Sequence, residues 1–421
     1  MNNKNQHIPV GYKSSPLGII PEDWEVKRLG EIFTFKNGVN AGKDSYGEGV
    51  RFVNTMDVLN NAYLIGNSLR GRVAINEKTK IEFLVSFGDV LFNRTSETRE
   101  EVGCSTVYLD NEEAVFGGFV IRAHDKDANI LNPIFKQYCF QPSYVRNQIS
   151  ALGNGAIRYN LGQEDLSKVN LLIPTKAEQE SIVSLISLWD TAISKQIQLV
   201  EKLTLRKRGL MQQLLTGEKR LKGFEGKWKK CAYSSVLKEI KRTLVWNEDE
   251  LYKLISVRRR SEGLFFRGSL YGREIATKNL RPAKTGDFLI SKMQIVHGAS
   301  GLVTETFDNA KISGSYIALV AKDDNVLDME YFNLWSQTPI FYHQTFISSF
   351  GVHIEKMTFD LDTFMSFGLS LPSINEQRAI VSVMKSTNKE IELAKQKLSS
   401  LQEQKKGLMQ VLLTGKKRII I

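Results

Sequence analysis

The chain contains one segment twice. Residues 174–220 read PTKAEQESIVSLISLWDTAISKQIQLVEKLTLRKRGLMQQLLTGEKR, and residues 372–418 read PSINEQRAIVSVMKSTNKEIELAKQKLSSLQEQKKGLMQVLLTGKKR. The two align without a gap at an offset of 198, with 20 of 47 positions identical. Each copy follows a longer stretch that reads quite differently the second time. A period this long marks a duplicated domain, not a short-period solenoid. The 421 residues therefore divide into a mixed segment (1–173), a helix (174–221), a second mixed segment (222–371) and a second helix (372–421). One chain carries a repeated scaffold with two diverged faces.

Both repeats open on a capping-box pattern after a proline, Thr175-x-x-Glu178 and Ser373-x-x-Glu376. The hydroxyl is expected to accept from a free first-turn amide, and the carboxylate to reach back to the cap amide. Both close on Leu-Leu-Thr-Gly, with Gly217 and Gly415 placed as terminators. Lys219, Arg220, Lys417 and Arg418 follow, favourable beside the negative end of a helix dipole. Between these signals the apolar spacing alternates four and three. Positions 182, 186, 189, 193, 196, 200, 203, 207, 210 and 214, and their counterparts from 380 to 412, are apolar in eight of ten cases in each copy. That is a coiled-coil seam. Lys207 and Lys405 interrupt it at matched places, with Gly209 and Gly407 two residues on. The interruption marks a kink, a close partner contact, or simply the end of the regular seam. A helix of about 40 residues spans ~60 Å, and two in one chain most simply pair with each other. Antiparallel pairing sets the mixed segments at opposite ends, related by a pseudo-twofold axis, at a distance fixed by helix length.

The mixed segments share weaker signals. FLVSFGDVLFNRTS (83–96) and LRPAKTGDFLISKMQ (280–294) share a Gly-Asp-x-Leu signature, again 198 apart. AVFGGFVIRAH (114–124) and AKISGSYIALVAK (310–322) form a further glycine-then-strand pair, and helices are expected at 132–150 and 328–347. Each segment reads as an α+β domain with a curved sheet. Polar and basic residues follow the Gly-Asp turns: Asn93, Arg94, Thr95 and Ser96 in the first copy, Ser291, Lys292, Met293 and Gln294 in the second. Arg, Asn, Gln and Lys are the side chains that pair with base edges, while Ser and Thr suit phosphates. Arg158, Tyr159 and Asn160 lie in a glycine-rich loop, and Arg258, Arg259 and Arg260 follow a strand. Different chemistry at matched places is what two readers of different sequences need.

Charge points the same way. The net charge is +11, and all of the excess sits in residues 201–300, with 23 Lys/Arg against 10 Asp/Glu. A basic block suits nucleic acid, although a solvated surface gives the same count. Cys104, Cys139 and Cys231 form no CxxC pair, which argues for a reducing compartment and against a thiolate metal site. The opening MNNKNQHIPVGYKSS has no apolar signal core and no run is long enough to span a membrane, so a cytoplasmic protein is expected. Catalytic motifs are missing. GVNAGKD (38–44) lacks the spacing and the hydroxyl of a phosphate loop, and GNG (153–155) is too short for a nucleotide fingerprint. NPIF (132–135) is not an amino-methyltransferase tetrapeptide, and the carboxylates of PEDWEVK (21–27) lack a supporting constellation. His7, His124, His297, His343 and His353 show no metal-ligand spacing.

Taken together, Pro-x-x-x-Glu-Gln (174–179 and 372–377), Leu-Leu-Thr-Gly-x-Lys-Arg (214–220 and 412–418) and the tryptophan entries Trp24 and Trp228 resemble the specificity subunit of type I restriction–modification systems. The resemblance covers essentially the whole chain, but the mixed segments themselves vary within that family. It implies two mixed α/β target recognition domains separated by two long antiparallel coiled-coil helices. Each domain would read one half of a bipartite, asymmetric DNA site. The helices would set the spacer and dock two modification subunits that carry S-adenosylmethionine and methylate adenine at N6. Two restriction subunits using ATP and Mg would join, and this chain would hold no catalytic residue, cofactor or metal of its own. DNA contacts are expected at Asn93, Arg94, Thr95, Ser96, Arg158, Tyr159, Asn160, Arg258, Arg259, Arg260, Lys292 and Gln294. Partner contacts are expected at Gln179, Leu210, Met211 and Leu214, and at Gln377, Leu408, Met409 and Leu412. The competing readings are a stand-alone DNA-modifying or cleaving enzyme with an unrecognised site, and a coiled-coil scaffold with no role on DNA.

Overall fold

The computed structural model describes residues 8–155 and 157–419. The polar opening, His7, Ala156 and the last two residues lie outside the described residues. Two compact units emerge. One comprises residues 1–196 with 397–421, the other residues 197–396. The division passes through both long helices, Lys176–Thr216 and Ile374–Leu412, so each unit owns one mixed domain and half of each helix.

Within each unit the two helix halves run antiparallel. In the first, Glu178 meets Arg418 and Asp190 meets Lys405. In the second, Arg220 meets Glu376, Arg206 meets Glu390, and Leu203 packs with Ile391 and Ala394. All ten expected seam positions of each helix are buried or half-buried, as the alternating spacing requires. The seam lysines do not break either helix. Lys405 bonds the Asp190 carboxylate at 2.5 Å and lies over the Tyr138 ring, while Tyr138 donates to the other Asp190 oxygen. Lys207 has no such counterion. Asn388 stands where the repeat places Asp190, and burial together with Lys395 lowers the Lys207 pKa from its ordinary value.

The start of each helix corrects one expectation. Thr175 Oγ1 and Ser373 Oγ accept from the amides of Glu178 and Glu376 at 3.4 Å, as a capping box requires. The carboxylates go elsewhere. Glu178, 1% exposed, takes the Trp24 indole at 2.7 Å and both Nε and Nη2 of Arg418, and Arg418 also bonds Asp23. Glu376, equally buried, is held bidentately by Arg220. The closing arginines are thus counterions for the opening glutamates, not mere complements to a dipole. A carboxylate that reached its own cap amide would leave the guanidinium, a stronger charged donor, without it.

Both mixed domains use one plan of two sheets. In the first, strands Phe33–Asn37, Val120–Asp125, Val90–Asn93, Ser105–Tyr108 and Tyr63–Leu64 lie side by side in that order. In the second, Leu237–Glu239, Tyr316–Ala321, Phe288–Ser291 and Ser300–Leu302 repeat the first four. The other sheet, three-stranded in the first domain and four-stranded in the second, carries a matching parallel pair, Ala114–Phe116 on Tyr46–Val53 and Lys311–Ser313 on Leu251–Val257. Its connection differs. Leu251–Val257 returns directly into Leu264–Tyr271 through residues 258–263, whereas in the first domain residues 54–71 make a helical excursion before Arg72–Val73 pairs back. That excursion supplies the extra strand Tyr63–Leu64, parallel to Ser105–Tyr108.

Each domain closes where its helix begins. Entry strand Glu25–Arg28 pairs antiparallel with exit strand Asn170–Ile173, and Lys229–Ala232 with Gly368–Leu371. Trp24, Leu171 and Ile182 then share one core with Met409, Leu412 and Leu413. In the second unit Tyr233, Leu369 and Ile380 share a core with Leu214 and Leu215. Each core thus draws on the start of one helix and the end of the other.

Two substitutions test this packing. Arg418→Met leaves the buried Glu178 carboxylate with the indole alone. Removing one partner of a fully buried pair costs 3–5 kcal/mol, and a third of the Arg418 side chain is exposed, so a loss of roughly 2–3 kcal/mol is expected. Lys207→Leu should gain ~1 kcal/mol by completing the seam. Urea unfolding of the full chain reads both, as an earlier and a later transition.

Candidate nucleic-acid interface

The Gly-Asp turns build the base of each face. Gly88 and Gly286 take positive φ of 87° and 91°, which a side chain resists. Asp89 accepts from the Ser86 amide and Asp287 from the Lys284 amide, both at 2.8 Å, closing the turn in the same way. Their counterions differ. Asp89 faces His124 Nδ1 at 2.7 Å, and Asp287 is bound bidentately by Arg242. Burial raises the Asp89 pKa, against the pull of the Ser86 amide, His124 and Arg122. Each aspartate thus anchors an inner strand of its sheet, and the polar residues follow at that strand's far end.

In the first domain the two expected sets converge. Thr95–Ser96 pairs antiparallel with Tyr159–Asn160. Thr95 Oγ1 donates to Asn160 Oδ1 at 2.7 Å, and the Leu161 amide donates to the Arg94 carbonyl. Arg99 lies over the Tyr159 ring, 5.0 Å from its centroid. Arg158 and Asn160 are exposed, and Arg94, Thr95 and Tyr159 half-buried. Asn93 is not at this surface. It has no exposed area and donates to the Glu101 carbonyl, while Ser96 is buried and donates to the Glu101 carboxylate. Both shape the 97–103 loop from inside: Asn93 ends a strand, Val90–Asn93, that is buried along its whole length, and Ser96 is the inward residue of the short strand Thr95–Ser96.

In the second domain Arg258, Arg259 and Arg260 form the tip of the direct hairpin, all exposed. Arg260 and Ser261 adopt left-handed φ of 60° and 55°, held by amide bonds to the His297 and Gly298 carbonyls. Arg258 covers Phe265, and Arg259 pairs with Glu355 at 2.9 Å. Lys292 and Gln294 are half-buried, and the Lys292 carbonyl accepts from the Phe359 amide. His297 Nε2 sits 3.1 Å from Glu355. The arginine tip, the 292–297 turn and the 351–357 loop therefore make one surface. Sequence reasoning did not bring the last of these to it.

The expected partner contacts are corrected. Gln179 and Gln377 are 1% and 0% exposed. Gln179 donates to the Ile130 and Pro174 carbonyls and accepts from the Asn132 amide. Gln377 does the same with Val326, Pro372 and Asp328. Leu214, Met409 and Leu412 are buried in the domain cores, with Leu210, Met211 and Leu408 packed half-buried against them. These eight residues are identical across the repeat because each seats a mixed domain on its helices. Two identical pairs near the helix ends are exposed in both copies, Gly209 with Gly407 on the helices and Lys219 with Lys417 just beyond them; Gln212 is exposed, but its counterpart Gln410 is half-buried.

Among the described residues no group of three His, Cys, Asp or Glu could hold a metal ion, and no helix is long and apolar enough to cross a membrane.

Each unit holds one mixed α/β domain seated on its own halves of the two long helices, and each domain presents a polar, arginine-bearing loop surface, so the chain carries one recognition frame twice. The type I restriction modification DNA specificity domain model matches twice, at residues 21–202 and 247–403, and the chain belongs to that family. It is 24% identical to the type I restriction enzyme MjaX specificity subunit of Methanocaldococcus jannaschii, over 97% of each chain. It is 22% identical to the MjaVIII specificity subunit of the same organism, over 95% of this chain and 94% of that one. Among solved structures, a chain from a study of complex assembly and conformational transition of the type I R-M system shares the fold. It has a TM-score of 0.59 and 18% identity over 94% of this chain and 97% of that one. The HsdS subunit of Thermoanaerobacter tengcongensis matches with a TM-score of 0.54 and 16% identity over 94% and 98%. The chain is thus a specificity component of a restriction–modification system, not one of its enzymes.

Asn93→Ala is expected to lower stability by about 1–3 kcal/mol through the lost bond to Glu101. It should leave the salt dependence of DNA retention unchanged, because the side chain is internal. Paired urea melts and salt titrations of filter retention check this.

Proposed function

We propose that each mixed domain reads one half of a bipartite, asymmetric DNA site, and that the paired helices set the unread spacer. The observation that carries this is the twofold recurrence of one frame bearing different loops. A shared frame docks on a duplex in one way, while Arg158 and Asn160 in one domain, and Arg258, Arg260 and Lys292 in the other, offer different chemistry to it. Arg94, Thr95, Tyr159, Arg259 and Gln294 complete the proposed DNA set, with Asn93 and Ser96 supporting it from within.

Two modification subunits carrying S-adenosylmethionine dock on the helices, and ATP- and Mg-dependent restriction subunits join them. The identical pairs exposed in both copies, Gly209 with Gly407 and Lys219 with Lys417, suit one partner bound twice better than the buried residues do. A methylated adenine must leave the stack, so those subunits distort the duplex between or beside the half-sites. This work takes place in the cytoplasm, where chromosomal and invading DNA are met.

The direct test is a methylome. The chain is co-expressed with its candidate modification subunit in a methylation-free host, and N6-methyladenine is mapped by long-read sequencing. A split motif with a fixed gap is expected. No new methylation from a soluble, associated pair would overturn the reading, and methyl transfer by the chain alone would favour the stand-alone enzyme.

Two variants refine it. Deleting one heptad from each helix, in antiparallel register, shortens the rod by ~10 Å and should shorten the gap by about three base pairs. An unchanged gap removes the ruler role. Replacing Arg258 and Arg260 by Ala should lower the slope of log affinity against log salt by about two. An unchanged slope favours the scaffold reading.

A further inference from the structure

Each loop surface carries apolar side chains that the base-pairing argument does not use. In the second domain the 351–357 loop exposes Val352 to 93%, with Phe350 and Ile354 at half or more and Met293 beside them. In the first, the equivalent loop exposes Ile157 to 87%, and Phe119 stands free where its carbonyl accepts the Arg94 amide. A single exposed aliphatic residue needs no explanation. Here the same loop in two diverged domains keeps aliphatic side chains outward, next to cations.

The loops are also braced. Asn154 and Asn160 exchange both backbone bonds, at 3.0 and 2.8 Å, closing the first loop around Ile157 and Arg158. In the second, Ser349–Phe350 pairs with Thr358–Phe359, and the Lys356 amide donates to the His353 carbonyl. Glu355 is held by Arg259 and lies 3.1 Å from His297 Nε2. A braced base lets a small apolar tip press on a partner without collapsing onto its own domain. The cations around it (Arg158 in one domain; Arg258, Lys292 and Lys356 in the other) suit a partner with an anionic rim and an apolar interior. Duplex DNA has that layout, with phosphates outside and stacked bases within.

We infer that Ile157 in the first domain, and Val352 with Ile354 in the second, are apolar wedges that press on a base step of each half-site and partly unstack it. This rests on the DNA-reading role proposed above. It adds a second mode of discrimination, because pyrimidine–purine steps unstack at lower cost than others. A half-site is then chosen by deformability at the wedge as well as by base-edge hydrogen bonds.

The experiment uses the full chain. Random-sequence duplexes are selected by retention on it, and the enriched half-sites are synthesised with 2-aminopurine at each adenine. A fluorescence rise of about two-fold or more at one step per half-site is expected on binding. Val352→Ser with Ile354→Ser should abolish the rise in the second half-site only and weaken binding about ten-fold or more, with the salt slope unchanged. Lys356→Gln should do the reverse, lowering the slope by about one and keeping the rise. Because these side chains are exposed, a urea melt matching the parent confirms that the variants fold. Enrichment without any rise, or a rise that survives the double substitution, overturns the wedge and leaves the reader intact. If the double variant binds DNA as the parent does, the apolar tips serve a protein partner instead and the wedge is lost. Failure to enrich any sequence overturns both readings.

Discussion

The rest of the structure depends on two buried carboxylates, Glu178 and Glu376, and on the arginines that neutralise them. An apolar seam of Ile and Leu stabilises a helix pair by about 1.5–3 kcal/mol per fully buried side chain, whichever way the helices run. Hydrophobic burial is non-directional, so the seam alone does not choose antiparallel pairing or its register. A carboxylate left inside without a counterion costs several kcal/mol. Only one arrangement in each unit brings Arg418 to Glu178, or Arg220 to Glu376. The clamp therefore contributes little net stability beyond what its own desolvation consumes, and a large penalty to every alternative register. Because it sits where the mixed domain's entry strand, exit strand and both helices meet, it also fixes how each domain is carried.

Duplication has not kept the two clamps equal. In the first unit the Trp24 indole donates to Glu178, and Asp23 adds a second acceptor for Arg418. In the second, Arg220 lies over the Trp228 ring, and the Trp228 Nε1 is buried without a hydrogen-bond partner. The seam lysines diverge in the same sense, Lys405 with a carboxylate and Lys207 facing Lys395. Both differences weaken the second unit. Local opening free energies follow such inventories of satisfied buried groups. The second mixed domain is therefore the one whose seating on the helices is the more easily loosened.

What the sequence reveals follows from which signals are local. The seam was legible at all ten positions of each helix, because a four–three alternation is a property of one helix and its buried stripe. The Gly-Asp pairs and the tryptophan entries were legible for the same reason. The capping box was half legible. Thr175 and Ser373 cap as expected, but Glu178 and Glu376 are claimed by arginines 240 and 156 residues away, which no local pattern reports. Residue type alone placed Asn93 on the surface, whereas the strand it ends, Val90–Asn93, is buried along its whole length. Identity across the repeat suggested that Gln179 and Gln377 meet a partner, whereas identity was required for buried bonds to three backbone groups each. The excursion at 54–71 and the apolar tips at 157 and 352–354 were not legible. Loop exposure depends on the sheet beneath, and an aliphatic residue shortly after a glycine reads equally well as the start of a strand.

The division between frame and loop explains how one scaffold serves two readings. Asp89 and Asp287 close identical turns with different counterions, so the frame tolerates change one shell away from the turn itself. The loop surfaces lie at the opposite end of the strands, where side chains have few obligations to the core. In the second domain two non-glycine residues hold left-handed backbone at the arginine tip, at a cost of roughly 1–2 kcal/mol each. That cost is offset by two amide bonds to the neighbouring turn, which also fix where the arginines stand. Substituting the tip's side chains leaves those backbone bonds in place. Side-chain chemistry at Arg258 and Arg260 is thus free to change without moving the loop, which is the physical condition for altering what a domain reads while preserving how it is held.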